Sequence, residues 1–282
     1  MTTQSLDHRD VLDILPDRSA ESHKGDYGKI LLICGSKGYT GAAALAAMGA
    51  LRAGAGLVYL AVPSSIYEIE AKKLLEPIVL PMPDNDGMFD GCAVQELAKL
   101  LPNMDAVLIG PGLGRSDGVT DVILSVLRSF RGPVVLDADG INNICTHTSI
   151  LRERTGLTVI TPHEGEFFRF VGRPVGDRIE DAAAAALENN CIVVLKGNNT
   201  VITDGTSVYI NSTGNPGMAV GGSGDVLAGI IISLIGQGIH PLKAAACGAW
   251  LHGAAGDLCA SQLGQYGMLP SDMLQVLPRL LK

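Results

Sequence analysis

The stretch Lys29-Ile-Leu-Leu-Ile-Cys-Gly-Ser-Lys-Gly-Tyr-Thr-Gly-Ala-Ala-Ala-Leu-Ala-Ala-Met-Gly-Ala-Leu-Arg-Ala-Gly-Ala-Gly-Leu-Val-Tyr-Leu-Ala-Val62 decides the fold. Its ends, Lys29 to Cys34 and Leu57 to Val62, are short continuous apolar runs of the kind that form strands buried on both faces. Between them Gly41 to Arg52 is nearly all small or apolar, which predicts a helix packed close against a sheet. Strand, helix and strand in that order make a βαβ unit, whose strands run parallel. Gly35 to Tyr39 then lies between a strand's carboxyl end and a helix start, the edge where open α/β sheets bind ligands.

The same rhythm continues outward. Apolar runs Asp105 to Gly110, Pro133 to Asp137, Leu157 to Thr161 and Cys191 to Lys196 alternate with helical candidates Gly118 to Phe130 and Arg178 to Asn189. The expectation is a mainly parallel open sheet flanked by helices on both faces. Near the end Thr200 to Thr203 and Ser207 to Asn211 flank Asp204-Gly205, which predicts an antiparallel hairpin. Helices are expected from Asp225 to about Ile235, Pro241 to about Gln262 and Ser271 to Leu281. A hairpin followed by clustered helices fits an eightfold barrel poorly.

The chain has 282 residues and a formal net charge of -8. No linker or charge block divides it, so 1–282 reads as a single domain. Lys and Arg are scattered, which gives no basic field for nucleic acid. The start has no leader pattern and no run reaches membrane-spanning length, so a cytoplasmic, soluble protein without membrane partners is expected. The cysteines, among them Cys34 and Cys191 inside apolar runs, read as small core residues, because no metal-ligand spacing joins them to the histidines.

Five loops carry candidate chemistry. Gly214-Asn-Pro-Gly-Met-Ala-Val-Gly-Gly-Ser-Gly-Asp225 leads into the apolar run Val226 to Leu234. Glycines and a helix start together offer several N–H groups to one anion, with Asp225 beside it. The competing reading is a simple loop with Asp225 as an N-cap. Gly110-Pro-Gly-Leu-Gly114 is either a tight turn or a place where a bulky ligand approaches; it completes neither a dinucleotide fingerprint nor a P-loop. Asp137-Ala-Asp139 offers carboxylates that suit Mg²⁺ or, equally, a turn and cap. Thr161-Pro-His-Glu-Gly-Glu166 puts His163 near substrate, with Glu164 and Glu166 within reach of a hydrated metal, or else decorates a helix start with acids. Lys196-Gly-Asn-Asn-Thr200 ends the last long strand, where a Lys offsets phosphate charge.

Taken in order, these segments together with Ser22 to Gly28 and Asn211 to Asn215 resemble the ADP/ATP-dependent NAD(P)H-hydrate dehydratases of the ribokinase-like superfamily, over roughly residues 10 to 280. The resemblance implies ADP or ATP on Lys196, Gly197, Asn198, Asn199, Thr200 and Gly224. It implies hydrated NADH or NADPH on Ala42, Gly112, His163, Asn215 and Asp225. Catalysis falls to Asp225 with Gly222, Ser223 and Gly224, and Mg²⁺ to Asp137 and Glu166 through water. Ser223 stands where Thr is usual, which keeps the hydroxyl and loses a methyl. A homotetramer is also implied. Some members carry a fused epimerase domain for which these residues leave no room, so a separate NAD(P)H-hydrate epimerase is expected.

In the implied reaction the C6 hydroxyl of the hydrated ring is phosphorylated with Asp225 as base, and phosphate then leaves. Two rivals share these residues. A ribokinase-like kinase for a small alcohol uses the same loop and Asp, and the Thr161 to Glu166 and Gly110 to Gly114 segments speak against it. A non-catalytic nucleotide sensor would be marked by loss of Asp225 or its glycines, and both are intact.

Overall fold

The structure, a computed structural model, describes residues 3–281. Its strands are β1 (Thr3–Gln4), β2 (Lys29–Ile33), β3 (Leu57–Pro63), β4 (Ile78–Met82), β5 (Asp84–Asn85), β6 (Met88–Phe89), β7 (Ala106–Ile109), β8 (Val134–Leu136), β9 (Thr158–Ile160), β10 (Ile192–Leu195), β11 (Thr200–Thr203) and β12 (Val208–Asn211). Ten of them form one sheet in the order β1-β12-β11-β10-β9-β8-β7-β2-β3-β4, and β5 pairs only with β6. Within the large sheet every pairing is parallel except the two made by β11.

Alternation along each strand divides the core into two layers. Ile30, Leu32, Leu60, Leu108 and Val194 face the helices Thr40–Arg52, Ser223–Gly236 and Pro241–Leu263. Leu31, Ile33, Val107, Ile109 and Val193 face Asp117–Ser129, Glu164–Val171 and Arg178–Asn189 on the other side. Both faces are therefore covered, as continuous apolar runs require.

The small residues of Thr40–Arg52 serve a second helix as well as the sheet. A Cβ on Gly229 would lie 2.2 Å from the Ala46 carbonyl, and one on Gly49 would lie 2.8 Å from the Val226 carbonyl. Backbones this close exclude any side chain at the crossing. The packing fixes Ser223–Gly236, and with it the glycine loop, against the first βαβ unit.

Three expectations change in detail. The hairpin turn is longer than Asp204-Gly205, because Asp204 Oδ1 accepts hydrogen bonds from the N–H groups of Thr206 (2.9 Å) and Ser207 (2.8 Å), so β12 begins at Val208. The last helix stops at Val276 and continues only as a 3₁₀ turn, Leu277–Leu280. Pro278 has no N–H for a further helical bond. Finally, β1, β4, the β5–β6 ribbon and the helices His8–Ile14, Ser64–Lys73, Ala93–Leu100, Asp139–Ile144 and Ser149–Glu153 are additional to the expected elements.

Candidate active site

The strands β2, β7, β8, β9 and β10 are mutually parallel, and their carboxyl ends deliver Gly35, Gly110, Asp137, Thr161 and Lys196 to one edge. The loops are then tied together. Gly35 N–H donates to the Pro111 carbonyl (2.8 Å), Ser36 Oγ to the Gly112 carbonyl (2.7 Å), and Lys196 N–H to the Pro162 carbonyl (2.8 Å).

The glycine loop arrives over this edge. Gly222, at φ 98°, is the N-cap of Ser223–Gly236, a conformation that glycine adopts freely. Asp225 is the third residue of that helix, so it is not the cap, and the N-cap makes no side-chain bond. The Ser223 N–H donates to the Val220 carbonyl at 3.3 Å, while those of Gly222, Gly224 and Asp225 make no backbone hydrogen bond among the described residues. Three free donors and the positive end of a 14-residue helix therefore converge beside one carboxylate. Burial, with Asp137 and then Glu166 adding like charge against the opposing pull of Lys196, raises the Asp225 carboxyl from 3.8 to about 7.

Next to it lies a buried charge cluster. Lys196 Nζ is 2.9 Å from Asp137 Oδ1 and 3.7 Å from Glu166 Oε2, and Thr161 Oγ1 donates to the same Asp137 oxygen at 2.6 Å. Burial opposes the Lys196 charge, but Asp137, Glu166 and Asp225 together hold the ammonium above its ordinary value. A Cβ on Gly224 would sit 3.3 Å from Lys196 Nζ and 4.0 Å from Asp137 Oδ2, which places the helix start directly against the cluster.

His163 is the N-cap of Glu164–Val171. Its Nδ1 accepts from the N–H groups of Gly165 (3.0 Å) and Glu166 (3.3 Å), its own N–H donates to Glu166 Oε2 (3.0 Å), and Nε2 lies 3.4 Å from Glu166 Oε1. The imidazole is thus oriented at the sheet edge with Nδ1 engaged. Glu164 is turned away, paired with Arg178. Asp139 is a clamp: its Oδ2 accepts from Gly114 N–H (2.9 Å), which resolves the second carboxylate of Asp137-Ala-Asp139 as structural.

A cavity of about 800 Å³ is lined by His163, Lys196, Gly197, Asn198, Asn199, Thr200, Asn215, Ser223 and Gly224. Ala42 and Gly112 lie outside that lining and touch each other: a Cβ on Gly112 would meet the Ala42 Cβ at 2.9 Å. Asn215 therefore shares the cavity with the Lys196 loop, and Ala42 and Gly112 do not.

Among the described residues no group of three or more His, Cys, Asp or Glu is arranged to hold a metal ion. Asp137 and Glu166 already face an ammonium, and Asp137 Oδ2 is left over. Such a set suits a hydrated Mg²⁺ that arrives on nucleotide phosphates and is reached through water, with no all-protein cage.

Sequence reasoning missed three residues here. Arg178 donates to the carbonyls of Leu195 (2.8 Å) and Lys196 (3.2 Å), bracing the cavity floor. Asp257 accepts from Gly214 N–H (2.9 Å) and Asn215 Nδ2 (3.0 Å), anchoring the start of the glycine loop. His252 bonds Ser223. All three lie in helices whose local pattern reads as packing, and nothing short of the tertiary fold reveals their targets.

The sequence profile of a family described as NAD(P)H-hydrate dehydratase matches residues 30–279. The chain is 46% identical over 275 residues to a bifunctional NAD(P)H-hydrate repair enzyme Nnr of Moorella thermoacetica, covering 95% of this chain and 52% of that protein. It thus spans about half the length of that relative. It is 35% identical to the ADP-dependent (S)-NAD(P)H-hydrate dehydratase of Bacillus subtilis, covering 95% of this chain and 94% of the relative. The crystal structure of the Bacillus subtilis ADP/ATP-dependent NAD(P)H-hydrate dehydratase, co-crystallized with ATP/Mg²⁺, superposes with a TM-score of 0.86 at 33% identity, over 99% of this chain and 98% of that one.

Proposed function

Because the chain belongs to the NAD(P)H-hydrate dehydratase family, with its ribokinase-like fold, we propose that it restores NADH and NADPH from the S epimers of their C6 hydrates, with ADP or ATP as phosphoryl donor. The observation that carries this reading is Asp225: an unbonded carboxylate raised to about 7, set among free N–H groups at a helix start. A base whose pKa lies near ambient pH accepts a proton most effectively.

In the proposed reaction the C6 hydroxyl gives its proton to Asp225 as its oxygen attacks the terminal phosphorus. The N–H groups of Gly222, Gly224 and Asp225 receive charge on the transferring phosphoryl. Ser223 serves through its place in the backbone, since its own N–H is engaged. Bound Mg²⁺ supplies charge neutralisation on the phosphates, with Asp137 and Glu166 as its water-mediated partners. The C6–O bond then breaks as the ring nitrogen supplies its electron pair, and loss of a proton from C5 restores the reduced ring. AMP or ADP and inorganic phosphate are released.

The 800 Å³ cavity beside Lys196 to Thr200 supports the nucleotide assignment. The Ala42–Gly112 contact lies outside its lining and supports a separate place for the hydrated nicotinamide, with His163, which lines the cavity, where the two nucleotides would meet. Asn215 belongs with the nucleotide side in this reading, because it lines the cavity. One ten-stranded sheet runs from β1 to β12 with only the β5–β6 ribbon outside it, and we read 1–282 as one domain. No described helix is long and apolar enough to cross a membrane. A cytoplasmic homotetramer completes the proposal; exposed Leu263, Tyr266 and Leu269 supply apolar area for contacts between copies.

Incubation with NADH hydrate, Mg²⁺ and either ADP or ATP tests the reading. Recovery of reduced-nicotinamide absorbance with release of phosphate is the expected result. A stable phosphorylated product would point instead to a small-alcohol kinase.

A further inference from the structure

We propose that His252 is a positioning residue that sets the Ser223–Gly224 peptide and thereby aims the Gly224 N–H at the transferring phosphoryl group. The inference rests on the reaction proposed above and adds a residue to it. His252 belongs to Pro241–Leu263, its side chain is buried, and it lines the same cavity as Lys196 and Gly224. Its Nε2 lies 2.9 Å from the Ser223 carbonyl oxygen and 3.2 Å from Ser223 Oγ.

A carbonyl oxygen only accepts, so Nε2 carries the proton and donates it there. The peptide group is planar, which makes the Ser223 carbonyl and the Gly224 N–H two ends of one rigid unit. A hydrogen bond on the first therefore fixes the direction of the second, and by polarising the amide it strengthens the second as a donor. The unit is the first peptide of Ser223–Gly236, in the turn where a helix is least restrained and its N–H groups have no intrahelical partner. It follows Gly221 and the left-handed Gly222, so a side-chain bond from another helix adds a hold there. Burial, with the Lys196 charge adding to it and the Ser223 bond opposing, pushes the imidazole down to about 4, so the ring stays neutral with one nitrogen free to accept.

The test compares steady-state turnover of NADH hydrate with ADP and Mg²⁺ in the full chain and in His252→Leu, His252→Gln and His252→Asn. Leu has no donor. The Gln amide nitrogen extends to about the place of Nε2, whereas the Asn nitrogen falls short of it. We expect kcat to fall roughly tenfold in the Leu and Asn variants, a part of what losing a whole oxyanion donor costs, with KM for NADH hydrate within about twofold. Gln should recover kcat to within about threefold.

If the Leu variant does not fold, Asn against Gln decides. Equal losses in Asn and Gln, or a Leu variant that keeps the parent kcat, overturn the proposal and leave His252 a packing residue. Absence of turnover in the parent chain contradicts the proposed reaction instead. The Gly224 amide resonance with ADP bound then judges His252: a shift in Asn that Gln does not share supports it, and equal shifts overturn it.

Discussion

Replacing Asp225 with Asn should make the protein more stable and inactive at once, with the stability gain confined to higher pH. The carboxyl is raised from 3.8 to about 7, first by burial and then by Asp137. At about 1.4 kcal/mol for each pKa unit, that corresponds to about 4 kcal/mol. Folding holds the Asp225 proton more tightly than the unfolded chain does. Between pH 4 and pH 7, therefore, the native state binds more protons and the parent loses stability as pH rises. The Asn variant has no such proton, and it also spares Asp137 and Glu166 a like charge. Because one face of the carboxylate opens to solvent, we expect at least about 2 kcal/mol of the gain to be realised. Urea unfolding of both proteins at pH 4 and pH 8 measures it. The difference should be near zero at pH 4 and should reach about 2–4 kcal/mol at pH 8. A difference that does not change with pH would refute the raised carboxyl and with it the argument for Asp225 as base.

Further expectations follow from the same geometry. Gly229→Val places atoms where a Cβ already comes within 2.2 Å of the Ala46 carbonyl, so it should cost more than about 3 kcal/mol in denaturant unfolding. Lys196→Met leaves Asp137 buried without its counter-ion; a loss of about 3–5 kcal/mol is expected, together with weaker ADP binding by calorimetry. His163→Ala removes the N-cap of Glu164–Val171 and a residue lining the cavity, which should lower stability by about 1 kcal/mol in denaturant unfolding and raise KM for the hydrate more than it weakens ADP binding by calorimetry.

The parallel half of the fold was legible because strands buried on both faces cannot hide their composition. Ile30 to Ile33 and Ile192 to Leu195 are continuous apolar runs, and the structure trims the expected strands by only a residue or so. β4 was missed because Ile78-Val-Leu-Pro-Met82 sits at the sheet edge, half exposed and carrying a Pro, so neither its composition nor its burial resembles the inner strands. The sheet-edge loops were legible as candidates, but their partners were not. The sequence offers Asp137 and Glu166 as acids and Lys196 as a cation; that the three meet is decided by the parallel register of β8, β9 and β10. His163 illustrates the limit further, since one imidazole both caps a helix and borders the cavity.

The most direct measurement is the rate at which the protein returns reduced-nicotinamide absorbance from NADH hydrate with ADP or ATP and Mg²⁺, taken in parallel for the parent and Asp225→Asn, with ADP affinity measured on both. The account predicts turnover by the parent, loss of at least about a hundredfold in the variant, and nucleotide binding largely retained. Turnover that survives the substitution, or a parent that binds ADP and restores no NADH, would contradict it.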